Sequence, residues 1–253
     1  MKKLVVFILA LLPLVAAMPV QKGLPESVKG KTQYKVHFNR GGIHAKMATA
    51  TLTLEDARWQ EKPAYFANFT VRAANVFKLF MLGEYKVNIL LSKEDNHPYT
   101  YSFPYKKKGK ERLLEFFYKE QEVESVLQIE DEPEPTRKVY LTEGLPTLDV
   151  ASFALYLRSL DPATIQRGPM PVKLLLASVC IPAELTYLGE DSSFWPGEAA
   201  YHYQVKMQGR GLMENGAGDE IHIWVSPQPE HALRGLQVML KKSSVIAKMV
   251  LPE

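Results

Sequence analysis

Cysteine occurs once in the 253 residues, at Cys180, which excludes an intramolecular disulfide and every Cys-rich zinc or iron–sulfur centre. Excess charge of one sign is also missing: 31 Lys and Arg stand against 28 Asp and Glu. The net charge of +3 is too weak to suggest a nucleic-acid partner. Six histidines (His37, His44, His97, His202, His222 and His231) are scattered without an HExxH or HxH spacing, so a metal site has no local nucleus. No Gly-x-Ser-x-Gly occurs. The glycine groups at Gly209-Arg210-Gly211-Leu212 and Gly216-Ala217-Gly218 read as turns, since no strand-to-helix context follows them. These absences leave no catalytic residue, metal ligand or cofactor to assign. Long hydrophobic runs are lacking too, which excludes a polytopic membrane protein.

The N-terminus has the order of a secretory signal peptide. Lys2 and Lys3 form a positive region, Leu4 to Leu14 an apolar one broken by Pro13, and Val15-Ala16-Ala17 puts small residues at the −3 and −1 positions. Cleavage is expected after Ala17, giving a signal peptide over 1–17 and one domain over 18–253. The apolar run is roughly a dozen residues where a membrane span needs about 20, and no lipid-attachment cysteine follows it. The expected product is a soluble, monomeric, periplasmic or secreted protein of nearly neutral charge. In an oxidising compartment a lone thiol is either buried or reactive. Cys180 lies in the apolar Val179-Cys180-Ile181-Pro182 with no His or Lys beside it, and a buried, inert thiol is expected.

What the chain does contain is strands. Tyr34, Val36 and Phe38 alternate with Lys35, His37 and Asn39, and Ala48, Ala50, Leu52 and Leu54 alternate with threonines beyond a Gly41-Gly42 turn. Similar period-two stretches run over Tyr65–Arg72, Tyr85–Ser92, Tyr99–Tyr105, Arg112–Lys119 and Val123–Ile129. After the helix they continue over Val172–Ser178, Ala183–Leu188, Ala200–Met207, Glu220–Val225, Leu233–Lys241 and Val245–Leu251. Asn75–Leu82 reads as a short helix. Glu130-Asp131-Glu132-Pro133-Glu134-Pro135 cannot continue a central strand and reads as an exposed loop. The long helix is expected over Leu148–Leu160, with Thr147 as N-cap, Asp149 at the positive dipole end and Val150, Phe153, Ala154 and Leu157 on one face. Without a βαβ rhythm the sheets should be antiparallel. The fold class read from this pattern is mainly β: curved antiparallel sheets in two similar halves, 30–142 and 170–253, open-barrel or β-roll-like, with the helix 148–160 between them.

The helix segment Leu148-Asp149-Val150-Ala151-Ser152-Phe153-Ala154-Leu155-Tyr156-Leu157-Arg158 resembles the distinctive Asp-apolar-x-Ser to Tyr-x-x-Arg element of the DUF3108 family of bacterial exported proteins. The Tyr34 strand followed by Gly42, the Ile223-Trp224-Val225-Ser226 strand and the closing strands Leu236–Leu240 and Val245–Leu251 resemble other family features. Two features depart from the family pattern: Pro227-Gln228-Pro229 follows Trp-x-Ser before any acidic residue, and Ser244 stands where the last hairpin usually has glycine. The resemblance implies an envelope protein with a mostly β fold and carries no activity.

Function is read from the aromatic load, 11 Phe, 3 Trp and 12 Tyr. Many of these rings are needed to fill a β core. Curved sheets flanking a helix can also enclose an apolar cleft, so the expected function is non-catalytic binding of a hydrophobic or lipid-like molecule among Tyr101, Phe103, Tyr203 and Trp224. The competing readings are an envelope-polymer hydrolase and a structural or protein-interaction module. Asp149, Ser152 and Arg158 are read as parts of a buried helix. His202 and His222 lie on polar strand faces that could meet. Lys106, Lys107, Lys108 and Lys110 form a basic hairpin tip able to touch anionic headgroups, although a solvated turn accounts for them as well.

Overall fold

Period-two alternation drives nearly every described segment into extended structure, and among the described residues fifteen strands join in one sheet. The computed structural model describes residues 29–74, 84–165, 168–176, 179–194, 198–208, 220–227, 232–240 and 243–250. In chain order the strands are β1 (Gly30–Arg40), β2 (Ile43–Trp59), β3 (Lys62–Ala73), β4 (Glu84–Ser92), β5 (Pro98–Lys107), β6 (Lys110–Tyr118), β7 (Glu122–Ile129), β8 (Thr136–Leu141) and β9 (Thr147–Asp149). The helix α1 (Val150–Leu157) follows, then β10 (Met170–Leu176), β11 (Val179–Asp191), β12 (Ala200–Met207), β13 (Glu220–Val225), β14 (Leu233–Leu240) and β15 (Ser243–Met249).

Across the sheet the order runs β8 to β1, then β15 back to β9. Every described pairing is antiparallel except β9 with β10, in keeping with the expected antiparallel class. Neighbours in sequence pair through tight turns. Gly41-Gly42 connects β1 to β2 and Lys108-Gly109 connects β5 to β6, all four residues at positive φ, the backbone that lets a two-residue turn follow the twist of its strands. The long-range seam is β1 on β15, with Tyr34 opposite Met249 and Phe38 opposite Val245.

The sheet curls so that its two edges approach. Lys173 of β10 donates to the Leu141 carbonyl of β8 (2.9 Å) and pairs with Glu143 (2.6 Å). Inside the curl one apolar core runs from Leu114 and Phe116 through Phe153, Leu155 and Leu157 of the helix to Leu174, Val205 and Ile223. The basic hairpin and the acidic loop fall where the sequence placed them, as the β5–β6 and β7–β8 turns.

The helix differs from expectation at both ends. Thr147, Leu148 and Asp149 form β9 on the edge of the sheet, where the Lys173 amide donates to the Pro146 carbonyl (2.8 Å). The cap is therefore Asp149, not Thr147: its Oδ1 accepts from the amides of Ala151 (2.9 Å) and Ser152 (3.0 Å), satisfying two of the donors that a helix start leaves open. At the far end Arg158, Ser159 and Leu160 donate to carbonyls three residues back, a tightening into 3-10 geometry. The expected helix at Asn75–Leu82 lies outside the described residues.

Candidate functional site: an apolar cavity under the helix

Between the N-terminal turn of α1 and the inner face of the sheet lies a cavity of about 360 Å³. Tyr34, Ala50, Phe69, Val71, Val87, Tyr101 and Phe116 wall it from β1 to β6; Leu175, Leu176, Leu233, Leu236 and Ala247 wall it from the other half. Asp149, Val150, Ala151 and Ala154 close it from the helix. Alanine makes the room. Ala50, Ala151, Ala154 and Ala247 occupy inward positions where a filled β core carries Leu, Ile or Phe.

No Lys, Arg or His is found among the described lining residues. The carboxylate among the described lining residues is Asp149, which is 3% exposed. Its Oδ2 accepts from Tyr118 Oη (2.8 Å), while Oδ1 serves the helix amides. Burial raises its pKa against the pull of those hydrogen bonds. Tyr34 donates to the Leu233 carbonyl (3.0 Å), and burial pushes its phenol up to about 12. Burial, then the Asp149 charge, raises Tyr101 as well. These phenols therefore stay neutral at physiological pH.

The four aromatics singled out from the sequence have different settings. Tyr101 lines the cavity, its ring 5.1 Å from Phe116. Phe103 is packed against the same core further along β5, stacked on Tyr105 (5.1 Å) and beside Tyr85 (6.2 Å). Tyr203 is fully buried beside Tyr187 (5.5 Å), and among the described residues its hydroxyl has no hydrogen-bond partner. Trp224 faces away from the cavity. It lies beneath Phe194 (3.8 Å, stacked) with Ala200, in a second small cluster on the outer surface of the sheet.

On that outer surface His202 and His222 do meet. His202 Nε2 and His222 Nδ1 are 2.9 Å apart and share a hydrogen bond. Asp191 lies 3.7 Å behind His202 and Glu220 3.5 Å behind His222. Asp191 also accepts from Trp224 Nε1 (2.9 Å) and Ser193 Oγ (2.6 Å), hydrogen bonds that hold its pKa at about 2. Ser193 is thus bonded to the carboxylate and not to an imidazole, the reverse of a nucleophile–base arrangement. Among the described residues no group of three metal-binding side chains occurs. Polar hollows lie outside the core, one of about 210 Å³ between His97, Lys119 and Tyr156 and a larger one of about 630 Å³ lined by Lys62, Lys93, Asp95 and Tyr99.

Cys180 is half-buried, and burial raises its thiol pKa. At the basic turn, Lys106 pairs with Glu111 (3.2 Å) and Lys110 approaches Asp131 (3.9 Å). No described helix is long and apolar enough to cross a membrane.

A curled antiparallel sheet wrapped on one helix, with an apolar cavity between them, defines a class of barrel-like β proteins with an internal cavity. Within it, the chain belongs to the DUF3108 family of proteins of unknown function, whose model matches residues 33–250. Among solved structures it is similar to a β-barrel-like protein of the DUF1849 domain of unknown function from Brucella abortus. The TM-score is 0.50 at 11% identity, over 88% of this chain and 97% of that one. The lipoprotein LppX of Mycobacterium tuberculosis aligns over 88% of this chain and 85% of that one at 7% identity; its TM-score of 0.29 is too low to define a shared fold. No curated protein sequence matches the chain significantly.

Proposed function

We propose that this protein is a non-catalytic binder of a hydrophobic or lipid-like molecule in the cell envelope, and that the ligand occupies the cavity under α1. The observation that carries the reading is the cavity's size in an apolar wall. The hollow is partly open to solvent, and its described wall is almost wholly apolar, so water inside it finds few polar partners while an apolar guest gains by leaving water. A cavity kept open by four alanines is accounted for by an occupant. Tyr101 touches that occupant directly under this reading, while Phe103 and Tyr203 set the packing around it and Trp224 braces the outer face.

Export through the N-terminal 17 residues belongs to the same proposal, as do a monomeric state and peripheral contact of the Lys106–Lys110 turn with anionic headgroups. Organic extraction of the purified protein followed by mass spectrometry tests the ligand. A stoichiometric hydrophobic molecule is expected. Ala154→Phe, which pushes a ring into the cavity from the helix, should abolish its recovery while the protein remains folded. Recovery of nothing from the native protein, together with failure to bind any hydrophobic dye, refutes the reading.

A further inference from the structure

The cavity wall has a polarity of its own. Among the described residues, the hydroxyl of Tyr101, which lines the cavity, makes no hydrogen bond to the protein. Ser152 Oγ is also without a partner but is fully buried and does not line the cavity, and the other polar side chains nearby are engaged. Tyr34 donates to Leu233, Tyr118 to Asp149, and Asp149 accepts from Tyr118 and two helix amides. Tyr101 therefore offers one donor and acceptor to whatever lies in the cavity. Asp149 is near enough for its charge to act on Tyr101. The arginines that act on the wall, Arg158 and Arg234, act on Tyr34 and do not themselves line the cavity, so no described cation stands at Tyr101 to balance an incoming anion.

We infer that the occupant is an uncharged amphiphile whose single hydroxyl- or carbonyl-type group is seated at Tyr101 Oη. The inference rests on the cavity-binding reading and narrows it. A carboxylate or phosphate head placed there would be desolvated beside an acid with no positive partner, the arrangement that costs most in an apolar site. A pure hydrocarbon would leave the Tyr101 hydroxyl buried without a partner. Size sets the rest. A cavity of about 150 Å³ takes one benzene, so 360 Å³ takes roughly fourteen non-hydrogen atoms. That matches one medium-length chain with a neutral end, not a two-chain phospholipid enclosed whole.

The test uses the full mature protein after delipidation, the dye N-phenyl-1-naphthylamine as reporter, and dodecan-1-ol and dodecanoate as competitors at neutral pH. Dodecan-1-ol is expected to displace the dye at a concentration about tenfold or more below dodecanoate. Tyr101→Phe removes only the hydroxyl. It should weaken dodecan-1-ol by about three- to tenfold, the worth of one neutral hydrogen bond, with each competition corrected for that variant's own dye affinity. The inference is overturned if dodecanoate binds as tightly as the alcohol, if neither competes, or if Tyr101→Phe leaves the alcohol unaffected. Absence of dye binding in the native protein is a different failure, because it removes the cavity reading itself.

Discussion

Gly235 is the position where one added methyl group has the most traceable consequence. It lies on β14 opposite Trp224, and Phe194 folds over it from the loop after β11. A Cβ built on Gly235 would stand 2.2 Å from Phe194 Cε1 and 2.5 Å from its Cζ, with the Ala247 carbonyl oxygen at 3.0 Å. No rotation of the methyl relieves that overlap, so in Gly235→Ala the Phe194 ring must leave its seat. The ring is 9% exposed and stacked on Trp224 at 3.8 Å, with Lys248 Nζ 4.4 Å above its centroid. Uncovering a Phe side chain costs about 1.5–3 kcal/mol, and the lost stacking about 0.5–1.5 kcal/mol more. We expect Gly235→Ala to lose about 2–4 kcal/mol in urea unfolding, or a Tm drop on the order of 5–15 °C for a chain of this size. The decisive measurement is the double-mutant cycle with Phe194→Ala. Once the ring is gone the methyl has nothing to strike, so Gly235→Ala on that background should be nearly neutral. The coupling should exceed about 1.5 kcal/mol, well beyond the 0.3–0.5 kcal/mol of independent sites. Simple additivity, or a neutral Gly235→Ala in the native background, would refute this account of the outer cluster.

Other perturbations address the interior. Phe153 is 1% exposed at the centre of the core; Phe153→Asp should cost several kcal/mol and yield insoluble or unfolded protein, as read by circular dichroism, while Phe153→Leu should fold. Asp149 titrates with a raised pKa, so folding holds its proton more tightly than the unfolded chain does. Its contribution to stability is then greatest below the ordinary Asp value and declines as pH rises from that value to the raised one. Asp149→Asn keeps a capping oxygen and should flatten that decline in stability-versus-pH curves. Asp149→Ala removes the cap and strands the Tyr118 hydroxyl, for a loss of about 2–4 kcal/mol.

Strand positions were legible wherever one face is buried. Ala200–Met207 and Glu220–Val225 coincide with β12 and β13 because Tyr203, Val205 and Met207, and likewise Ile221, Ile223 and Val225, are turned inward. The same parity puts Trp224 on the side of His222, so its outer placement was readable from the register of a single strand. β8 was not readable. Four of its six residues in a row, Thr136 to Val139, are exposed, and an edge strand without a buried face has no period to show. The helix start was ambiguous because Leu148 fits an amphipathic helix and a buried strand equally well; the edge of β10, where Leu174 pairs with Leu148 from 26 residues later, selects the strand. An apolar cleft with Tyr101 in its wall was expected, but its alanine lining was not legible, because alternation distinguishes apolar from polar and Ala50 scores with Leu52 although only one of them fills space.

The two sheet edges, β8 and β9, are consecutive in the chain, and the first and last strands are partners in mid-sheet. The fold is therefore a simple meander whose ends have been relocated. Reading β9 through β15 and then β1 through β8 gives the spatial order without interruption. The natural chain places its break at the centre of the sheet, so Tyr34 must find Met249 across about 215 residues, a closure costing roughly 3 kcal/mol more entropy than a ten-residue turn. A circular permutant opened in the Thr142–Pro146 connection, with its old ends joined, would convert that pairing into one between chain neighbours. The resting architecture would be the same, but contact order would fall and folding would be faster. The order in which this chain is threaded governs how it assembles, independently of the interior that it encloses.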